Sequence, residues 1–361
     1  DPAARGRDMS IVRLARPEIQ KLKPYEAAIQ VEDTIRLNAN EAPWTSSGDH
    51  FRRSLNRYPE VRPQRLQQAL ASRYGCETNQ LLVTRGSSEA IDLLVRAFCR
   101  AGVDNIVTTS PSFSMYRHYA EVQGAELREV EAVAATNFEV DIDAVLAACD
   151  EATRVIFVCS PNNPTGTEIP RAQLVELLER RGSNSAIVLD EAYVEFSGSG
   201  SAVELVGEFE NLVILRTLSK ALAHAGARCG AVIGPADVIA MINAVQAPYA
   251  LATPVVECVE DVLEAHSLQE AESRIAETVA ERDRLIPAIR DFSFVRRVFP
   301  SAANFFLVEV DDVERLLEQS SRDKVLLRYF GGDLADCVRI SVGTGAENDR
   351  LLQTFAAVEG S

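Results

Sequence analysis

The sequence predicts an α/β fold in which a large, mostly parallel sheet lies between layers of helices and is followed by a smaller α+β unit. Three observations predict it. From about residue 80, short aliphatic and β-branched runs alternate with amphipathic stretches, the pattern of strands covered on both faces by helices. The chain has 361 residues, too many for one minimal core and enough for a large domain with a smaller companion. Its composition, 47% hydrophobic and 25% charged with a mean hydropathy of -0.04, is that of a folded globular protein.

Residues 1–45 hold several prolines and no clear period, and are expected to pack against the smaller unit. The opening DPAARGRDMS has neither an apolar core region nor a cleavage pattern, so it reads as a loose end. A large unit over 46–270 has predicted strands at 81–86, 105–111, 155–161, 186–193, 212–220 and 229–234. Between them, SSEAIDLLVRAF and RAQLVELLERRG carry helical periodicity. After Pro248 and Pro254, the charge-rich stretch 255–292 predicts a long helix able to bridge two units. The smaller unit, 271–361, has strands near 304–310 and 337–343, and no internal repeat or low-complexity tract is visible.

A net charge of -16 argues against nucleic-acid and anionic-membrane partners, because the summed field repels phosphate. An anionic ligand therefore needs a local arginine pocket. Seven scattered cysteines without a C-x-x-C pair suggest neither a disulfide framework nor a zinc ribbon, and fit a reducing cytoplasm. The four histidines, His50, His118, His224 and His266, lack metal-ligand spacing, and no metal is expected. No apolar run approaches the length of a membrane span.

Three predicted strands run into polar clusters: 155–161 into Asn162-Asn163-Pro164-Thr165-Gly166, 186–193 with Asp190 and Tyr193, and 212–220 into Ser219-Lys220. In a parallel sheet the carboxyl ends of strands face one crevice, so these groups can converge. A lysine after a strand is ordinarily solvated surface. Lys220, however, is followed by the small-residue stretch ALAHAGARCG, which leaves room for a ligand, and by the cation Arg228. A lysine sheltered near other cations loses proton affinity, and a neutral amine can form an imine with an aldehyde. Asp190 could simply cap a turn. It could equally hold a cofactor's pyridine nitrogen protonated, making the ring an electron sink, with Tyr193 and Asn163 donating to a ring oxygen. LLVTRGSSEAIDLLVRAF reads as a strand, a glycine and a helix whose first turn carries Ser87 and Ser88, either caps or donors in a phosphate cup.

Taken in order, the motifs RLNANE (36–41), NRYPE (56–60), RGSSE (85–89), PSFSMY (111–116), CSPNNPTG (159–166), DEAYVEF (190–196), RTLSKA (216–221), AGARCG (225–230), APY (247–249) and RISVGT (339–344) span nearly the whole chain. With them the chain resembles the fold-type I pyridoxal-phosphate aminotransferases, and within them the histidinol-phosphate branch. The resemblance implies a seven-stranded sheet and pyridoxal 5'-phosphate as cofactor. It also implies transfer of an amino group between L-histidinol phosphate and 2-oxoglutarate, with imidazole acetol phosphate and L-glutamate as the other pair. Lys220 would be the imine lysine and the general acid/base, with Asp190 on the pyridine nitrogen, Tyr193 and Asn163 on the phenolic oxygen, and Phe113 stacked on the ring. Ser87, Ser88, Ser219 and Arg228 would cup the phosphate, joined by Tyr58 from a neighbouring subunit, which implies a homodimer. Arg339 would clamp the α-carboxylate, an arrangement that suits an arginine fork. Tyr25, Arg328 and Asn40 would belong to the substrate site, the first two at the substrate's far end.

The sequence departs from the family pattern in two places. Phe113 stands where tyrosine is frequent, and His224 and Ala227 stand where larger apolar residues are common. Three rival readings remain open: an aromatic amino-acid aminotransferase, a threonine-phosphate decarboxylase-like lyase, and a cofactor-binding regulatory domain. The acidic charge and the absence of a basic extension weigh against the last.

Overall fold

A computed structural model describes residues 10–31 and 34–360, so all of the expected loose end except Ser10 lies outside the described residues. The larger sheet comprises β1 (Leu81–Thr84), β2 (Asn105–Ser110), β3 (Glu126–Glu131), β4 (Thr153–Cys159), β5 (Ala186–Asp190), β6 (Leu212–Thr217) and β7 (Gly230–Ile233). Its order is β1-β7-β6-β5-β4-β2-β3, with β7 antiparallel to both neighbours and the remaining pairs parallel. The smaller sheet comprises β8 (Val295–Val298), β9 (Phe305–Val310), β10 (Arg328–Gly331) and β11 (Leu334–Ser341), in the antiparallel order β10-β11-β9-β8.

Alternation along the strands builds two cores. Leu81, Val83, Ile156, Val158, Ile187 and Leu189 face one layer, where they meet Leu66 and Leu70 of the helix Gln64–Tyr74 and Leu174 and Leu177 of Arg171–Arg181. Leu82, Val155, Phe157, Val188 and Val213 face the other, against the helices Gly86–Phe98, Met115–Gln123 and Ala236–Val245. Burial on both faces is why these strands read as continuous apolar runs. Gly230 must be glycine: a Cβ there would lie 2.6 Å from the Arg216 carbonyl oxygen and 3.0 Å from Gly86 Cα.

Besides adding β8 and β10 to the smaller sheet, the structure departs from the sequence reading in four places. β3 is the charged ELREVE edge strand, paired only with β2, and an edge needs no apolar run. The stretch 255–292 is two helices, Thr253–Val262 and Ala265–Arg290, broken at Leu263-Glu264. β5 and β6 end at Asp190 and Thr217, so Tyr193 and Lys220 lie in the turns that follow rather than in strands.

The fourth departure is the N-terminal segment. Its helical turns do not pack on the smaller unit. Ile11 and Ala15 are buried in the core of the large sheet, the Ser10 hydroxyl donates to the Asp237 carboxylate, and Arg16 N–H donates to the Ala97 carbonyl. Ile11 is fully buried there, and burying an isoleucine side chain contributes roughly 1.5–3 kcal/mol.

Candidate active site

β4, β5 and β6 run parallel and end side by side at Cys159, Asp190 and Thr217. The loops leaving them border a cavity of about 610 Å³, whose opposite wall comes from the smaller sheet through Arg328, Phe330 and Arg339. The two sheets touch beside it, where Tyr193 meets Phe305 of β9 edge-on at 5.0 Å.

Asp190 is 1% exposed. Its Oδ2 accepts from the Tyr116 hydroxyl at 2.9 Å and its Oδ1 from Ala192 N–H at 3.2 Å. Burial pushes its carboxyl up to about 6, opposed by the Tyr116 and Ala192 hydrogen bonds and by the charge of Lys220. Lys220 Nζ lies 5.6 Å from the centre of the Tyr193 ring. Desolvation, then Arg339 and then Arg228, lower the pKa of its ammonium, while Asp190 opposes them. The shift is toward the uncharged amine, the state in which lysine acts as a nucleophile or base.

A second corner of the cavity suits an anion. Gly86 adopts φ +75 between β1 and the helix Gly86–Phe98, and Ser87 and Ser88 occupy that helix's first turn, where unpaired N–H groups and the helix dipole favour negative charge. A Cβ on Gly86 would lie 3.1 Å from Arg228 Nη2, so the guanidinium closes against bare backbone. Arg228 is held at φ 53 and donates to the Ala225 carbonyl at 3.0 Å and to Ser219 Oγ at 3.4 Å. The Thr217 hydroxyl donates to Ser219 Oγ at 3.0 Å.

Across the cavity, Arg339 donates from Nη1 to Asn163 Oδ1, and its Nε is buried without a protein partner. Nε itself is enclosed, but the guanidinium as a whole borders the cavity, where an arginine suits a carboxylate or phosphate oxygen. Arg328 sits opposite Arg339 in the β10–β11 register, and both guanidinium carbons lie over the Phe330 ring, at 5.1 and 5.4 Å from its centre. Phe113 completes the lining and meets Tyr116 edge-on at 5.8 Å.

Eleven of the residues singled out in the sequence thus line one cavity: Lys220, Asp190, Tyr193, Asn163, Phe113, Ser87, Ser88, Ser219, Arg228, Arg328 and Arg339. Three do not. Tyr58 is half-exposed and stacks on Tyr249 at 4.7 Å, and Tyr25 meets the same ring edge-on at 6.4 Å. Asn40 is exposed at φ 56 in the same N-terminal arm. The arm is fastened by two carboxylates: Glu41 accepts from Tyr58 N–H and pairs with Arg36 and Arg57, and Glu257 accepts from Arg52 and Arg53 N–H. Sequence reasoning assigned no role to Tyr116 or Phe330. Tyr116 stood inside the quoted PSFSMY motif, but nothing local marks a tyrosine whose partner is 74 residues away. Among the described residues no group of three or more His, Cys, Asp and Glu is placed to hold a metal ion, and no helix is long and apolar enough to cross a membrane.

The sequence matches the family described as aminotransferase class I and II over residues 31–355. It is 41% identical to a histidinol-phosphate aminotransferase of Xylella fastidiosa, over 97% of each chain. Among solved structures, the histidinol-phosphate aminotransferase of Clostridium acetobutylicum aligns with a TM-score of 0.76 at 24% identity, covering 85% of this chain and 91% of that one. That of Sinorhizobium meliloti, in complex with pyridoxal-5'-phosphate, aligns at 0.77 and 22% identity, covering 85% and 83%. At these identities the two structures speak for the fold. On the breadth of the sequence match, the chain belongs to the class I and II aminotransferase family.

Proposed function

We propose that this chain is a pyridoxal-phosphate transaminase that interconverts L-histidinol phosphate and 2-oxoglutarate with imidazole acetol phosphate and L-glutamate. The observation that carries the reading is the meeting of Lys220, Asp190 and Arg339 on one cavity. Three features fit the cofactor. A carboxylate in a buried setting suits a protonated ring nitrogen, a glycine-bounded helix start with Arg228 suits a phosphate, and a lysine of lowered basicity suits an aldehyde. Ser87, Ser88, Ser219 and Arg228 would hold the phosphate, Asp190 the ring nitrogen, Tyr193 and the Asn163 amide the phenolic oxygen, Phe113 the ring face and Lys220 the aldehyde carbon. When bound, the cofactor supplies an electron sink for the bond broken at the substrate's α-carbon.

The protein's own groups supply the rest. Lys220 takes the proton leaving the α-carbon and delivers it where the amino group is to be transferred, a role that requires the amine uncharged. Arg339 orients the substrate through its guanidinium and Arg328 receives an anionic group beside it, which agrees with the name carried by the 41% identical relative. Asn163 turns its oxygen to Arg339, so its amide donors face the Tyr193 hydroxyl, with which the side chain interacts, and the cofactor.

The same reading takes a homodimer, with Tyr58 completing the neighbour's phosphate cup, and gives Tyr25 and Asn40 to the substrate site. In support, the arm carrying them exposes Leu22, Tyr25, Ile29, Trp44, Leu55 and Tyr58, apolar side chains that a neighbouring subunit would cover. All seven cysteines are free, in keeping with a reducing cytoplasm. A large unit over 46–270 and a small one over 271–361 are part of the proposal, with the cavity between them.

The deciding experiment gives the purified holoenzyme histidinol phosphate, phenylalanine and threonine phosphate separately, and follows conversion of the cofactor's absorption to its amine form. Conversion by histidinol phosphate is expected. Conversion by phenylalanine alone would identify an aromatic aminotransferase, and carbon dioxide released from threonine phosphate would identify a lyase.

A further inference from the structure

We propose that Tyr116 is a positioning residue that holds the Asp190 carboxylate in a fixed orientation against the cofactor's ring nitrogen and at the same time backs Phe113 behind the ring. This rests on the cofactor reading above. Tyr116 is 1% exposed, and its ring lies flat on Phe157 of β4, centres 4.6 Å apart and planes 8° apart. Phe113 stands on it edge-to-face, at 5.8 Å and 88°. These contacts leave the ring one attitude, with the hydroxyl donating to Asp190 Oδ2 at 2.9 Å. A buried tyrosine hydroxyl needs a partner, and one given to an ionised acceptor is stronger than a neutral bond. Tyr116 therefore touches both residues assigned to the ring, one at its edge nitrogen and one at its face, and fixes them relative to each other.

The hydrogen bond also biases Asp190 toward the ionised form needed beside a protonated nitrogen. The other titratable groups facing Asp190 are Cys159 at the end of β4, Tyr193 in the turn after β5 and Lys220 after β6. Lys220 favours the ionised carboxylate. Cys159 and Tyr193 are pushed well above their ordinary range by burial, as Tyr116 is, so all three are neutral; what sets Tyr116 apart is the hydroxyl it donates to Asp190 Oδ2.

Tyr116→Phe removes one oxygen and keeps the stack. The test measures pyridoxal-phosphate dissociation by equilibrium dialysis from pH 5.5 to 8.5, for the wild type and for Tyr116→Phe, Asp190→Asn and the double variant, with thermal midpoints recorded alongside. In Tyr116→Phe the dissociation constant is expected to rise about tenfold near neutral pH, the size of a hydrogen bond to a charged group. Losing a donor raises the carboxyl's pKa, so the acid-side loss of binding should begin at higher pH than in the wild type. In the Asp190→Asn background the Tyr116 change should add little, because its effect passes through the carboxylate. An unchanged dissociation constant and pH profile in Tyr116→Phe, or an equal effect with and without Asp190, overturns the proposal. A wild-type chain that does not bind pyridoxal phosphate overturns the cofactor reading itself.

Discussion

Asp190→Asn should make the cofactor-free protein more stable while eliminating transamination. Burial holds the native carboxyl at about 6 against 3.8 in an unstructured chain. The folded state therefore binds this proton more tightly than the unfolded state does. The resulting penalty is absent well below the lower value, grows between the two and is complete above the higher one. A separation of about two pKa units corresponds to about 3 kcal/mol above neutral pH and to roughly half of that at pH 5. Asparagine relieves the penalty and retains one oxygen for the Tyr116 hydroxyl. It cannot also accept from Ala192 N–H, which returns about 1 kcal/mol. The net gain is about 2 kcal/mol at pH 8 and under about 1 kcal/mol at pH 5. For a chain of 361 residues that is about 3 °C in Tm at pH 8, and about 1 °C at pH 5. Scanning calorimetry of the cofactor-free wild type and variant at the two pH values measures it. An unchanged or lowered midpoint at pH 8, or a gain equal at both values, would refute the claim that the site keeps a costly buried charge for its ligand.

Four further outcomes are expected. Arg339→Lys keeps the charge but loses the planar fork that also reaches Asn163; kcat/KM for glutamate, read in a stopped-flow half-reaction, should fall about tenfold to a hundredfold. Lys220→Ala should abolish turnover while leaving the far-ultraviolet dichroism intact, and retained transamination would sink its assignment. Gly230→Ala drives a Cβ into the Arg216 carbonyl and Gly86, and should cost about 3 kcal/mol, visible as a lowered denaturation midpoint. For Glu41, burial alone would raise the carboxyl, but Tyr58 N–H and the Arg57 and Arg36 guanidiniums hold it below its usual value. Its contribution is present above about pH 4.5 and is lost as pH falls through the lower native value. Glu41→Gln should therefore cost about 1–3 kcal/mol at pH 7, with the difference shrinking in acid.

What the sequence disclosed follows from how each feature is held. β4, β5 and β6 are buried on both faces, so their apolar runs were legible and placed Asn163, Asp190 and Lys220 at neighbouring ends of one sheet. β3 and β8 were not legible, because ELREVE and VRRV each pair with a single neighbour at a sheet edge and carry charge on exposed faces. The N-terminal turns docked on the large sheet because Ile11 fills a gap beside the helix Ala236–Val245, a long-range fit that prolines and composition do not encode. The break at Leu263-Glu264 has no glycine or proline to announce it. In the cavity, topology accounted for the convergence of the residues at strand ends, and the motif resemblance for their roles. Arg328, Phe330 and Arg339 enter from the other sheet, and only the β10–β11 register shows that two arginines face each other across one phenylalanine.

That pairing bears on how an acidic protein gathers an anionic substrate. With a net charge of -16, the surface field disfavours approach of a phosphate, and the attraction must come from within about a Debye length. Lys220, Arg228, Arg328 and Arg339 line a cavity whose charged acid is Asp190 alone. Four cations around one carboxylate would repel one another, and the lowered basicity of Lys220 and Arg339 is the trace of that strain, added to desolvation. Phe330 lets Arg328 and Arg339 share a wall by offering both guanidiniums a ring face. A ligand set bearing one phosphate on Arg228 and a second anion between Arg328 and Arg339 relieves the repulsion at both ends, and an uncharged amine leaves the arginine pair unrelieved. The charge pattern of the cavity therefore favours a substrate that brings an anionic group of its own, a phosphate or a carboxylate, to the wall opposite the cofactor's phosphate.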